Sequence, residues 1–219
     1  MNYKLYPIIF FQYWYGSSLC YFISLHEGFY SYSFSLTYKN ERVRRNDKFF
    51  PYYDKCIPSY EKNDVFNTLK KNKYPENLKY TFKYLKNMSS LPKNILDDIG
   101  VQIFPIFIKP TTEIIQIALQ RCEKFDSNNI SFKNKMMSML ENLKTNSEYW
   151  HRKHEKEYYK EKPDDILILD ITKLYNFSKY YEDRIQLYEY YKLCDFIKSK
   201  PRPEFMNEID DILWFTEHF

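Results

Sequence analysis

The chain contains little glycine, almost no alanine and only scattered cysteine. Glycine accounts for 3 of the 219 residues, and Ala118 is the single alanine. The cysteines, at positions 20, 56, 122 and 194, lie far apart and form no CxxC pair. This spacing excludes a dense disulfide framework and a cysteine-based metal pattern. Reduced thiols in the cytoplasm are therefore expected, and no metal is expected as a cofactor.

Several motifs that carry known chemistry are also missing. The sequence has no GxxxxGK[ST] phosphate loop, which argues against a small kinase, and no HExxH motif. His151 and His154 stand one helical turn apart in a strongly charged stretch, which indicates a solvated helix face. The net charge of +4 is below the balance typical of nucleic-acid-binding proteins, so nucleic acid is not expected as a partner.

Aromatic residues, by contrast, are abundant and make up 20% of the chain. This bias is typical of an A/T-rich genome, such as that of a virus, a parasite or a reduced bacterium, so we give it no functional weight. A hydrophobic content of 44% and a charged content of 28% indicate a globular chain. The length predicts a single domain over residues 1–219. No feature of the sequence predicts an oligomeric state.

Apolar runs alternate with helical patterns along the chain. The predicted strands are Pro7–Trp14, Tyr30–Tyr38, Val101–Ile108 and Ile166–Ile171. The predicted helices are Leu19–Leu25, Asp64–Lys71, Glu76–Met88, Asn94–Ile99, Thr111–Lys124, Phe132–Lys162, Tyr175–Ile197 and Asp210–Phe219. Pro105 argues against a regular central strand, and Tyr191 is expected in the core. The alternation predicts an α/β fold with a mainly parallel sheet.

The stretch Tyr6–Tyr30 joins a buried strand to a helix through a Gly/Ser turn. Gly16, Ser17 and Ser18 follow the apolar run. The N–H groups of a first helical turn and the positive end of the helix dipole both point at such a turn, which predicts a phosphate or sulfate site. One alternative is that the serines only cap the helix. Another is a membrane anchor, because Leu5–Leu25 is uncharged and long enough to span a bilayer, although polar residues interrupt it.

A second strand–turn–helix unit surrounds Lys109. The run Val101–Ile108 ends at Lys109, and Thr111 is expected to cap the following helix. Parallel α/β sheets bind ligands at the carboxyl ends of their strands. The Gly16 turn and the Lys109 turn therefore share one edge of the sheet if their strands are neighbours.

Three segments, in this order along the chain, resemble the sulfotransferase superfamily, which uses 3′-phosphoadenosine 5′-phosphosulfate as sulfuryl donor. The first, WYGSSLCYFISLHEGFY, is similar to the family's 5′-phosphosulfate loop, and the second, FIKPTTEIIQIALQRC, to its 3′-phosphate motif. The third, Tyr149–Lys173 followed by YKLCDFIKSKPRPEFMNE, is similar to its C-terminal strand and Leu-Cys-x-Phe-Leu helix. The resemblance implies a three-layer, P-loop-like fold in which helices flank the central sheet.

For the first segment, the resemblance implies a cradle for the 5′-phosphosulfate. The N–H groups and hydroxyls of residues 16–18 would hold it, and Tyr15 stands where the family has a basic residue. Arg44 or Arg45 would then supply the missing cation. The alternative for the charged segment Lys39–Lys48, which contains these two arginines, is a solvated loop.

For the second segment, the resemblance implies a 3′-phosphate contact. Lys109 would meet this phosphate, beside Ile108 at the position of the family's arginine. Gln116 stands at the family's serine position and would donate a side-chain N–H. The family's acid or histidine base has no counterpart, and His26 is the nearest imidazole in sequence.

The resemblance implies transfer of a sulfuryl group from 3′-phosphoadenosine 5′-phosphosulfate to a hydroxyl or amine of a small-molecule or carbohydrate acceptor. The alternative is a degenerate, non-catalytic member that binds a nucleotide, another anionic ligand or a protein partner. The missing loop cation and missing base motivate this alternative, since both transition-state charge stabilisation and a base are needed for transfer.

Overall fold

A parallel β-sheet with packed helices forms the part of the chain that the computed structural model describes. The described residues are 4–32, 37–38, 41–42, 56–57, 79–84, 102–145, 166–177, 183–207 and 209. The α/β class predicted from the sequence is confirmed within these residues. Their strands are β1 (Lys4–Ile9), β2 (Phe29–Tyr32), β3 (Thr37–Tyr38), β4 (Glu41–Arg42), β5 (Cys56–Ile57), β6 (Lys79–Tyr84), β7 (Gln102–Ile103), β8 (Ile106–Ile108) and β9 (Leu167–Leu169). Their helices are α1 (Gly16–Ser24), α2 (Thr112–Phe125), α3 (Ile130–Thr145), α4 (Ile171–Tyr175) and α5 (Asp183–Phe196), followed by a 3₁₀ helix at Pro203–Asn207.

The main sheet has the order β5-β2-β6-β1-β8-β9, with β7 also paired to β1. Every pairing described within it is parallel. β3 and β4 form a separate antiparallel pair, although the sequence predicts a loop over residues 39–48. The chain leaves β1 through α1 and returns to β2 on one side of the sheet, whereas β8 leads through α2 and α3 to β9 on the other side.

β1 occupies the centre of this sheet and is buried on both faces. Leu5, Tyr6, Ile8 and Ile9 are all buried. Because successive strand residues point to opposite faces, a strand covered on both sides has a nearly continuous apolar sequence, as β1 does. Burial of each such side chain stabilises the fold by roughly 1.5–3 kcal/mol.

β7 and β8 behave as one strand that is interrupted at Pro105. Leu5 pairs with Ile103, and Ile8 pairs with Ile106, so the register along β1 is the same on both sides of the interruption. Between them, the Phe104 N–H donates to the carbonyl of Leu5 at 2.8 Å. Proline has no N–H to give to the ladder, which explains the break that the sequence predicts here.

The helix predicted over Glu76–Met88 is wrong where the structure describes this segment. Residues Lys79–Tyr84 form β6, which lies between β1 and β2 and pairs with both. The segment KYTFKY contains aromatic and β-branched residues that favour strands. The spacing of Leu78, Phe82 and Leu85 favours a helix instead. The pairing of this segment with β1 and β2 outweighs that spacing.

The first strand–turn–helix unit is present, but its boundaries differ from the prediction. β1 ends at Ile9 and α1 begins at Gly16, so residues 10–15 connect them, whereas the sequence predicts a strand that ends at Trp14 and a helix that begins at Leu19. Tyr13 and Tyr15 have φ values of 67° and 57°. This left-handed conformation cannot belong to a strand, so these two residues lie outside any continuation of β1 toward Trp14.

The C-terminal part differs in two respects. The predicted strand Ile166–Ile171 is shorter, because Ile171 already begins α4, and Asn176 ends that helix with a φ of 48°. On α5, Tyr190 is fully buried whereas Tyr191 is 44% exposed. Tyr191 is therefore not the core residue that the helical spacing predicts.

Other predicted features lie outside the described residues. They include Arg44, Arg45, the His151/His154 pair and the helices predicted over 64–71, 94–99 and 210–219. In the part of the chain that is described, no helix is long and apolar enough to cross a bilayer, and Leu5–Leu25 is divided between β1 and α1.

Candidate anion-binding site

The carboxyl ends of β1 and β8 lie side by side at the point where the strand order of the sheet reverses. Ile8 pairs with Ile106 and Ile9 with Phe107, so the two strands are parallel neighbours. Because the connections from β1 and β8 leave toward opposite sides, the gap beyond their ends is a topological switch point, where open α/β sheets bind ligands. The Gly16 and Lys109 turns therefore share one edge, as the sequence predicts for neighbouring strands.

The connection from β1 to α1 is held by its own backbone. The Trp14 N–H donates to the Phe11 carbonyl at 3.2 Å, and the Leu19 N–H donates to the Tyr15 carbonyl at 3.0 Å. Tyr15 is the N-cap of α1 and makes no side-chain capping hydrogen bond. The N–H groups of residues 16–18 lie in the first turn, ahead of the Leu19 bond, where they and the helix dipole favour negative charge.

Aromatic rings enclose this first turn. Trp14, Tyr15 and Ser18 are buried, and a Cβ added to Gly16 would overlap the ring of Phe10. The Trp14 indole N–H is buried and has no hydrogen-bond partner among the described residues. The Phe10 ring therefore lies directly against Gly16 at the start of α1.

Arg121 reaches Tyr15 from α2. Its guanidinium lies 4.6 Å from the centre of the Tyr15 ring and 5.8 Å from that of Phe125, and its Nε and Nη1 atoms are buried. A cation over a ring face is attracted by the ring's quadrupole. A positive charge therefore lies beside the position where the resembling family has a basic loop residue.

Sequence reasoning missed Arg121, although the α2 pattern contains a signal for it. Ile114 and Ala118 are buried, and Arg121 continues their spacing of three and four residues along one helix face. An arginine on an otherwise apolar helix face is expected to contact a defined partner within the fold, unlike an arginine on a solvated face. The absence of a basic residue at position 15 therefore favours a cation on a neighbouring helix.

The α2–α3 helical pair covers the same connection. The Tyr13 ring packs edge-on against Phe132, with centroids 5.4 Å apart, and the Lys135 ammonium lies 4.4 Å from the centre of the Phe11 ring. Burial raises the pKa of Tyr13, with a further contribution from Asp126. Tyr13 is therefore a neutral hydroxyl group at physiological pH.

The second turn places Lys109 at this edge. The Lys109 N–H donates to the Leu169 carbonyl at 2.8 Å, which joins the turn to β9, while its side chain is partly exposed. Thr111 caps α2, since its Oγ1 accepts the Ile114 N–H at 3.1 Å, which confirms the predicted N-cap. Gln116 is exposed on α2.

A buried acidic cluster follows β9, at the same edge of the sheet. Asp170 accepts the Thr172 hydroxyl at 2.7 Å, and its N–H donates to Glu189 at 3.3 Å. Each carboxylate faces a lysine, with Lys173 3.9 Å from Asp170 and Lys192 3.5 Å from Glu189. These pairings fix the carboxylates in the structure.

His26 lies at the opposite end of α1 from the Gly16 turn. The helix has nine residues, so the two ends are separated by roughly 13 Å at 1.5 Å per residue. His26 is fully buried, with Nδ1 3.0 Å from the Ser199 hydroxyl and Nε2 3.4 Å from the Tyr190 hydroxyl. Burial, and then the charges of Lys79 and Arg202, lower its pKa to about 4. These contacts join the end of α1 to α5 and to the segment that follows α5.

The arrangement offers two helix N-termini and two cations to an anionic ligand. Comparison with known proteins gave no match to a family model, to a curated protein or to a solved structure.

Proposed function

We propose that this chain binds an anionic nucleotide of the adenosine 3′,5′-bisphosphate type in the crevice beyond β1 and β8, within a three-layer, P-loop-like fold. The observation that carries the proposal is the parallel pairing of β1 with β8 at the switch point. This pairing puts the N-terminal turns of α1 and α2 at one edge, where each favours negative charge.

In this proposal the two turns hold two different phosphate groups. The first turn of α1, residues 16–18, receives the 5′ group, and Arg121 turns from the Tyr15 ring to that group. Lys109 meets the 3′-phosphate, and the exposed Gln116 donates from α2. Charge-assisted contacts of this kind are shorter and stronger than neutral hydrogen bonds. Movement of the Phe10 ring opens the first turn.

Sulfuryl transfer from 3′-phosphoadenosine 5′-phosphosulfate to a hydroxyl or amine acceptor is the second candidate. The position of Arg121 beside Tyr15 favours it, because a cation there would stabilise charge on the migrating group. His26, the weak base candidate of the sequence analysis, lies at the far end of α1. We therefore place binding first and transfer second.

Isothermal titration calorimetry with adenosine 3′,5′-bisphosphate tests the binding proposal, with ATP as the comparison nucleotide. We expect saturable binding below millimolar concentration, and weaker binding of ATP. Arg121→Gln is expected to weaken binding about tenfold or more, since one charged hydrogen bond contributes roughly 1.5–3 kcal/mol. Arg121→Lys keeps the charge and should recover part of the affinity.

Lys124→Gln is the matched control, because it removes an exposed positive charge from the same helix. The Lys124→Gln variant should bind adenosine 3′,5′-bisphosphate with the same affinity as the unchanged protein. Absence of binding at millimolar nucleotide, or equal losses in the two glutamine variants, would contradict the proposal. A transfer assay over sugars and phenols then separates the two candidates, because only the second predicts a sulfated product.

A further inference from the structure

A cavity of about 460 Å³ lies apart from the Gly16 turn, between α4, α5 and the 3₁₀ helix. Its size falls within the range typical of sites for small molecules. The described residues that line it include Asn176 at the end of α4, Asp183 and Gln186 on the first turn of α5, and Asn207 on the 3₁₀ helix. Polar side chains from three different elements thus converge on one space.

Most of the polar side chains among the described lining residues are carboxamides. Asn176, Gln186 and Asn207 each carry both an N–H donor and a carbonyl acceptor, and Asp183 adds a carboxylate acceptor. A hydroxyl group also donates and accepts, so several hydroxyls on one molecule match this set. Asp183 is the only charged side chain among the described lining residues, so these residues offer no cation to a phosphate or sulfate.

One of the carboxamides is already oriented. The Gln186 Nε2 donates to the Leu174 carbonyl at 2.9 Å, which leaves its Oε1 and its second N–H for a ligand. The apolar side chains of Leu187 and Met206 line the same space. They suit the C–H face of a sugar ring, whose hydroxyls project from its rim.

We propose that this cavity binds a neutral polyhydroxylated molecule of monosaccharide size. Asp183 and the three carboxamides hold its hydroxyls, while Leu187 and Met206 contact its ring carbons. The proposal does not depend on nucleotide binding at the switch point. Tyr175 lines the cavity, and its ring centre lies 6.5 Å from that of Tyr15.

Saturation-transfer NMR on the full chain tests the proposal with methyl glucoside, galactose and myo-inositol as probes. We expect signal transfer to at least one of these at millimolar concentration, and none to cyclohexanol, which has the same ring size as myo-inositol but one hydroxyl. Asp183→Ala and Asn207→Ala are each expected to weaken binding about tenfold, because each removes a hydrogen bond to the probe. Both positions are exposed, so both variants should fold.

Asp195→Ala is the control, because Asp195 is an exposed acid at the other end of α5 and does not line the cavity. It should leave the probe affinity unchanged. The proposal is overturned if every polyol fails to bind, if cyclohexanol binds equally well, or if neither Asp183→Ala nor Asn207→Ala weakens binding. Since the probes carry no phosphate, failure here leaves the nucleotide titration unaffected.

Discussion

Two glycines are required at single positions for different physical reasons. At Gly16 a side chain would overlap the ring of Phe10, whereas at Gly28 nothing lies within 4 Å of an added Cβ. Gly28 instead has a φ of 79°, in the left-handed region that side chains disfavour. Glycine is required at position 16 because of one neighbouring ring, and at position 28 because of the backbone conformation.

We therefore expect Gly16→Ala and Gly28→Ala to respond differently to a change at Phe10. Gly16→Ala should lower the free energy of unfolding by about 1–3 kcal/mol through overpacking, and less when Phe10→Leu removes the ring. Gly28→Ala should cost about 1–2 kcal/mol in both backgrounds. Urea denaturation of the single and double variants measures these differences, and an equal cost of Gly16→Ala in both backgrounds would show that Phe10 is not the obstacle.

His26 should make the fold sensitive to mild acid. Its pKa is lowered from 6.5 to about 4 in the folded protein, so folding favours the neutral imidazole. The resulting stabilisation is fully present above pH 6.5 and is lost as the pH falls toward 4. The loss is on the order of 3 kcal/mol, since one pKa unit corresponds to about 1.4 kcal/mol.

The variant His26→Gln tests this assignment, because it cannot gain a charge. The free energy of unfolding, measured by urea denaturation at about pH 7 and about pH 4.5, should depend less on pH in the variant than in the unchanged protein. If both proteins lose the same stability over this interval, another group is responsible.

At the scale of elements, α2 depends on the cap that the Lys109 turn supplies. Thr111 accepts the Ile114 N–H, whereas Thr112 is exposed at the first helical position. Thr111→Ala should therefore cost about 1 kcal/mol of unfolding free energy, while Thr112→Ala should change it by less than about 0.5 kcal/mol. Urea denaturation compares this matched pair, and equal effects would mean that the capping bond contributes nothing.

The sequence predicted those elements best whose local pattern agrees with their packing. β1 is apolar because both of its faces are covered, and Thr111 caps α2 through a bond to a residue three positions away. A short stretch of sequence is therefore enough to predict a buried strand and this cap. β6 was missed because its central place depends on strands distant in sequence. Arg121 was missed for the same reason, since its contact with Tyr15 links α2 to a connection over a hundred positions earlier.

At the scale of the whole molecule, stability should fall from the centre of the sheet toward its edges. β1 has parallel partners on both sides, whereas β9 pairs with β8 alone and β5 with β2 alone among the described strands. Amides of the best-paired strands exchange only on global unfolding, and edge elements open locally at lower free energy. We expect peptides that cover residues 4–9 to exchange most slowly with deuterium, and those that cover 56–57 and 167–169 to exchange faster. If the peptide over 167–169 is the most protected, β9 rather than β1 is the stable centre of the molecule. Added adenosine 3′,5′-bisphosphate should then slow exchange in residues 16–18 more than in 56–57, because only the first of these borders the proposed crevice.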